Sequence, residues 1–230
     1  MSSGPFHNLV WNALHTVHAN FAVRNSAAAR YPADVVPYAA LSDPTHADLS
    51  SLAELLAPND TVYLIGPRPP STNSVLVGTP LDCFQMLFPA PPPEASAELT
   101  DPPILRMTPV DGPDMVALTD LAYPGFFRPR THQMGAYYGI RINNQLVAMA
   151  GERLAIPGYT EISAVVTHPA HTGKRYATIL MNCLLRDHAS ANVKSFLHVK
   201  QKNSRAIALY QRMGFVTVDS VSLWPISLAT

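Results

Sequence analysis

The stretch HTGKRYATIL, His171 to Leu180, sets a glycine and two cations, Gly173, Lys174 and Arg175, at the head of an amphipathic run. An ordinary helix start favours acids, because the N-terminal end of the peptide dipole is positive. Two readings are open. One is a solvated basic face. The other is an anionic guest. A glycine lets the backbone approach closely, unpaired first-turn N–H groups donate, and Lys174 and Arg175 add charge. An anion suits such a place.

Further candidates lie on either side. Glu161 stands between Tyr159 and Ile162, neighbours whose burial would raise its pKa toward that of a general base. An exposed strand carboxylate is the equal alternative, and Glu152 is held in reserve. Tyr210 carries a phenol that stays protonated near neutral pH and can donate a proton, or it is a core aromatic beside Leu209 and Met213. In GFFRPRTHQMG, Phe126 and Phe127 can wall a pocket and Arg128 and Arg130 can hold a carboxylate; plain surface is the commoner reading of such a stretch. His168, His171, His188 and His198 offer imidazoles, but His168 and His171 straddle a proline with no third ligand in view, so no metal is expected.

These residues need elements to hold them. ILRMTPV reads as a strand, followed by a helix capped by Asp111 with Met115, Leu118 and Ala122 on one face. AYYGIRINNQLVAMAGERLAI reads as two strands joined at Asn143-Asn144, residues that tolerate positive φ. YTEISAVVTHP is a third strand, and a helix from Gly173 follows with Tyr176, Ile179, Leu180, Cys183 and Leu184 inward. SFLHVK is a strand. Asn203 caps a short helix that Gly214 stops, and FVTVDSVSL closes as a strand. The order is β-α-β-β-β-α-β-α-β, antiparallel early with a strand–helix–strand crossover late.

Upstream, helical spacing joins Phe6, Val10, Leu14, Val17 and Phe21, and again Leu49, Leu52, Leu55 and Leu56, with strand-like VVPYAAL, TVYLIG and SVLVG around them. Residues 1–90 therefore read as an α+β unit, 91–103 as a Pro-rich linker and 104–230 as the second unit. The composition, 47% apolar and 14% charged with formal net charge zero, is globular and argues against a general nucleic-acid binder. Cys83 and Cys183 read as buried thiols of a reducing, cytoplasmic compartment. No secretory signal or membrane-spanning run is visible.

EISAVVTHPAHTGKRYATILM followed at a fitting distance by NSRAIALYQRMGF resembles the GNAT superfamily of N-acetyltransferases over residues 104–225, most closely its two-domain, glycine-N-acyltransferase-like branch. The resemblance implies an α/β (α+β) GNAT fold: a mixed, mostly antiparallel sheet flanked by helices, with a diverged N-terminal half. It implies acetyl-CoA as co-substrate. Val165, Val166 and Thr167 would pair with the pantetheine arm, and Thr172, Gly173, Lys174, Arg175, Tyr176 and Ala177 would form the pyrophosphate loop. Asn203 would contact CoA across the groove, Tyr210 would protonate the leaving thiolate, and Glu161, directly or through water, would be the base. Two positions depart from the family's loop: Thr172 stands where Gln or Arg is usual, and Arg175 where the first Gly is usual. The implied activity is acetyl transfer to a primary amine, on a small-molecule or amino-acid-like acceptor, by a monomer or homodimer. A non-catalytic CoA-sensing module and a transferase of longer acyl groups are the alternatives.

Overall fold

A computed structural model describes residues 4–45, 49–70, 72–89 and 102–229. Most of the linker expected at 91–103 lies outside the described residues. The first stretch supplies helices α1 (Leu9–His15) and α2 (Ser50–Ala53) and strands β1 (Val23–Arg24), β2 (Ala28–Arg30), β3 (Tyr38–Leu41), β4 (Val62–Ile65), β5 (Val75–Val77) and β6 (Leu81–Leu87). The second supplies β7 (Ile104–Arg106), α3 (Gly112–Asp120), β8 (Tyr137–Ile142), β9 (Gln145–Ile156), β10 (Tyr159–Thr167), α4 (Tyr176–Ser190), β11 (Lys194–Lys200), α5 (Ser204–Met213) and β12 (Val216–Leu228). The second half follows the element order its sequence predicts.

All these strands belong to one sheet, ordered β1-β2-β3-β4-β12-β6-β11-β10-β9-β8-β7, with β5 paired to β12. The two halves interleave: β6 pairs antiparallel with β11 on one side and β12 on the other. β12 then runs on to pair with β4. The boundary expected near residue 90 therefore coincides with no break in the sheet.

Both faces of the sheet are covered, because alternate strand residues point to opposite sides. On β11, Phe196 joins the core beneath α1, with Leu14, Tyr38 and Leu154. Its neighbour Leu197 joins the core beneath α4, with Leu180, Met181 and Leu184. Each such leucine, fully buried, contributes about 1.5–3 kcal/mol. β9 is buried from Leu146 through Gly151, as a central strand sandwiched between helices should be.

The helix expected from Gly173 begins at Tyr176 instead. Gly173 has φ +81° and Arg175 φ +61°, so the chain cannot yet be helical there. The two cations thus sit just ahead of the helix, Arg175 at its N-cap position, where they still oppose its dipole. The long helix suggested by Phe6 to Phe21 also stops early, at His15, and Leu49 to Leu56 form a single turn, α2. Cys83 is buried and Cys183 half-buried, both as free thiols. No helix among the described residues is long and apolar enough to cross a membrane.

Candidate active site

The site arises where two neighbouring strands part. β10 and β11 pair in parallel only at Tyr159, Thr160 and Glu161. Beyond that point β10 stays with β9 and β11 stays with β6, and a wedge opens between them. β10 also carries one extra residue between Ser163 and Val166, opposite Gly151 to Met149. Ala164 takes φ +50° there, a bulge that re-aims the strand edge. Ile162, Ser163, Ala164 and Val165 form one wall of an open cleft, and His198, Val199 and Lys200 form the other.

Tyr210, from α5, closes one side of this cleft. It is nearly buried. Burial, with Tyr123 beside it, pushes its phenol well above the ordinary tyrosine value, so the group is a neutral O–H donor at any physiological pH. Asn203 caps α5 as its sequence suggests, accepting from the Ala206 N–H at 3.1 Å, and its amide reaches the Tyr123 hydroxyl at 3.5 Å. Val165 lines the cleft, whereas the Val166 side chain turns into the core with Met115 and Met149. Thr167 ends the strand opposite Ala148.

Downstream, Thr172 donates to the Pro169 carbonyl at 3.2 Å. Gly173 and Lys174 are exposed. Tyr176 starts α4 and is packed into the core, with Ala177 following half-buried. No side chain caps α4 and no acid stands in its first turn, so its leading N–H groups are open to an anion. An arginine in the left-handed region strains the backbone by about 1 kcal/mol. Arg175 thus keeps the conformation that a glycine would adopt freely.

Glu161 reverses its expectation. It is fully buried. Arg153 donates to it twice, Nε to Oε2 at 2.9 Å and Nη2 to Oε1 at 2.6 Å, and the Leu154 N–H donates at 3.2 Å. His198 Nδ1 lies 2.8 Å from Oε1. Burial alone would raise the carboxyl; the Arg153 charge and hydrogen bonds, with His198, outweigh it and hold the group well below the carboxylate range. A carboxylate so satisfied is a weak base. Its visible task is to orient His198, which lines the cleft, and to balance Arg153. Glu152, the reserve, is also committed elsewhere: it accepts from the Ala136 N–H at 2.9 Å and contacts His188 Nε2 at 3.1 Å. Burial raises its pKa, but these partners bring the net shift below the ordinary value.

Phe126 and Phe127 do line the cleft. The arginines of the same loop do not: Arg130 pairs with Asp34 at 3.3 Å on the surface, and Thr131 ties the loop to the Val35 carbonyl. His168 and His171 stack edge to face, with centroids 5.8 Å apart. Among the described residues no group of three or more His, Cys, Asp or Glu is arranged to hold a metal.

Several cleft residues have no assigned place in the site from sequence alone. Tyr38 and Cys83 come from β3 and β6 of the first half, and Arg153 and His198 from β9 and β11. Only the Arg153–Glu161 pair had a local signal: opposite charges eight residues apart astride the Pro157-Gly158 turn, close enough to pair across a hairpin. Gly151 has its own steric reason, since a Cβ there would lie 2.0 Å from the Tyr137 ring.

Residues 106–215 match the family model described as the acetyltransferase (GNAT) family. Among solved structures, a protein of Novosphingobium aromaticivorans assigned to the GNAT acetyltransferases superposes with a TM-score of 0.89 at 28% identity, covering 99% of this chain and 100% of its own. A GCN5-related N-acetyltransferase from Kribbella flavida superposes with a TM-score of 0.64 at 15% identity, covering 97% and 96%; that likeness is one of fold. None of the curated proteins matches the sequence. The fold is the GNAT fold, and residues 106–215 are similar to the model of the GNAT acetyltransferase family.

Proposed function

We propose that this protein is an acetyl-CoA-dependent N-acetyltransferase that acts on a primary amine. One observation carries the reading: the parting of β10 and β11 at Glu161, with the bulge at Ala164, leaves a strand edge free inside a cleft that also holds a neutral tyrosine. An extended pantetheine arm fits such an edge as an added strand would. Its pyrophosphate would meet the loop from Thr172 to Ala177 and the uncapped start of α4. Lys174 and Asn203 would supply side-chain contacts, and Arg175 would take part through its backbone.

In this reading the amine nitrogen attacks the thioester carbonyl, and the oxyanion meets backbone N–H groups between Val165 and Thr167. The C–S bond then breaks and Tyr210 gives its proton to the departing sulfur. The proton lost by the amine leaves to water at the mouth of the cleft. Both ring nitrogens of His198 are engaged, Nδ1 with Glu161 and Nε2 with the Gln85 amide at 2.9 Å, so Glu161 and His198 brace the wall of the site. The likeness to the two-domain glycine-N-acyltransferase-like branch, the division near residues 91–103, an acceptor resembling an amino acid, a cytoplasmic setting and a monomeric or homodimeric state belong to this proposal. The N-terminal strands that complete the cleft support an acceptor role for that half, and the free thiols Cys83 and Cys183 suit a reducing setting.

Thiol release from acetyl-CoA over a panel of primary amines tests the transfer step, with coenzyme A binding followed by calorimetry in parallel. Release dependent on an amine is the expected result. Tight coenzyme binding without release for any amine would favour a CoA sensor; release from longer acyl-CoA alone would change the acyl group. For the loop, Arg175→Gly is expected to leave acetyl-CoA affinity unchanged or tighter and the melting temperature unchanged or slightly higher, because the strained φ is relieved. Loss of binding in that calorimetric titration would identify the arginine as a required clamp.

A further inference from the structure

We propose that the inner end of the cleft is a carboxylate subsite built by Tyr38 and Arg153, so that the acceptor is a small amino acid with an apolar side chain. The amine half of this statement rests on the transfer reading above; the carboxylate half stands on its own observations. Tyr38 lines the cleft, is 0% exposed, and its hydroxyl has no hydrogen-bond partner. A buried hydroxyl without a partner is costly and uncommon, which points to a missing acceptor atom.

The Arg153 guanidinium lies over this ring, its Cζ 5.1 Å from the Tyr38 ring centroid, and its charge reaches the hydroxyl without a well-formed hydrogen bond. Glu161 takes the Nε and Nη2 hydrogens and leaves those of Nη1 uncommitted to the pair. A carboxylate bridging Nη1 and the phenol would satisfy both. Charge agrees. Among the described residues lining the cleft, the charged ones are Arg153 and Lys200, with His198 beside them, and no Asp or Glu lines it. A polycationic acceptor would meet repulsion there, and an acceptor with its own anion would not. The remaining inner wall, Leu81, Phe126, Tyr137 and Leu223, is apolar or aromatic and suits a hydrocarbon side chain. Tyr38 comes from the first half of the chain, so that half takes part in acceptor recognition.

The test is calorimetric titration of the whole protein, with and without coenzyme A, using matched pairs: L-phenylalanine against 2-phenylethylamine, and L-leucine against isoamylamine, with spermidine as the polycation. At least one amino acid is expected to bind about tenfold more tightly than its decarboxylated partner, as for a hydrogen bond to a charged group, and spermidine not at all. Tyr38→Phe is expected to weaken that amino acid about tenfold, leave the plain amine unchanged, and not lower the melting temperature, since the lost hydroxyl has no protein partner. The proposal is overturned if neither amino acid outbinds its partner, if spermidine binds best, or if Tyr38→Phe has no effect on the preferred amino acid. Thiol release is read separately. Selective binding without release keeps the subsite and removes the transfer reading; release from plain amines with the amino acids inert does the reverse.

Discussion

Arg153→Met is expected to destabilise the fold by about 3–5 kcal/mol at neutral pH, the cost of leaving a buried carboxylate without its partner. Glu161 is fully buried, and Arg153 supplies two of the hydrogen bonds that keep it ionised. Remove the guanidinium and burial is opposed by the Leu154 N–H and His198 alone, which pushes the carboxyl upward. The pH dependence follows from the sign. In the native protein the carboxyl is held below its unfolded value, so it contributes stability above about pH 4.3, and that contribution is lost as pH falls toward the depressed native value. In the variant the shift is expected to reverse, favouring the folded state when protonated. The gap between the two proteins should therefore be widest near pH 7 and narrow on acidification below about pH 5. Urea denaturation at several pH values measures it. The double variant Arg153→Met/Glu161→Gln should recover much of the loss, because no bare charge is then buried. A single variant as stable as the native protein at pH 7 would contradict the ion-pair account.

Tyr210→Phe is expected to lower the turnover number by roughly 10²-fold or more, the usual worth of a positioned general acid. The packing consequence should be small. Tyr210 sits among Phe215, Leu184 and Leu197 in the core beneath α4, and phenylalanine keeps the ring. A thiolate leaving without a proton donor is the intended lesion, so the KM for acetyl-CoA should change little while the turnover number falls. An acid that remains protonated across the working range also implies that the rate of the native protein shows no alkaline fall from this group below about pH 10. An unchanged turnover number in Tyr210→Phe would remove the tyrosine from the mechanism.

Much of the second half can be read directly, because its punctuation is local. Asn143 and Asn144 take the positive φ values that a two-residue hairpin needs. Asn203 caps α5 and Gly214, at φ +102°, ends it. The start of α4 is displaced because a side-chain pattern does not reveal which residues adopt left-handed backbone. Arg175 does so without being glycine or asparagine. The electrostatics of Glu161 are hidden for a different reason: Tyr159 and Ile162 are its chain neighbours, but its energy is set by Arg153 across the hairpin and His198 on the next strand. β6 is hardest to see. Its partners lie more than a hundred residues away, Phe196 facing Leu87 and Leu223 facing Leu81, and no periodicity in one segment reports such a pairing. Tyr38 is invisible as a cleft residue for the same reason.

The position of β6 also governs assembly. A strand made early that must wait between two made last imposes large loops on the chain, and closing them costs entropy before any ladder bond is gained. Until β11 and β12 arrive, both edges of β6 are unpaired and sticky. Slow refolding, with aggregation rising at high protein concentration, is the kinetic signature that such threading should leave.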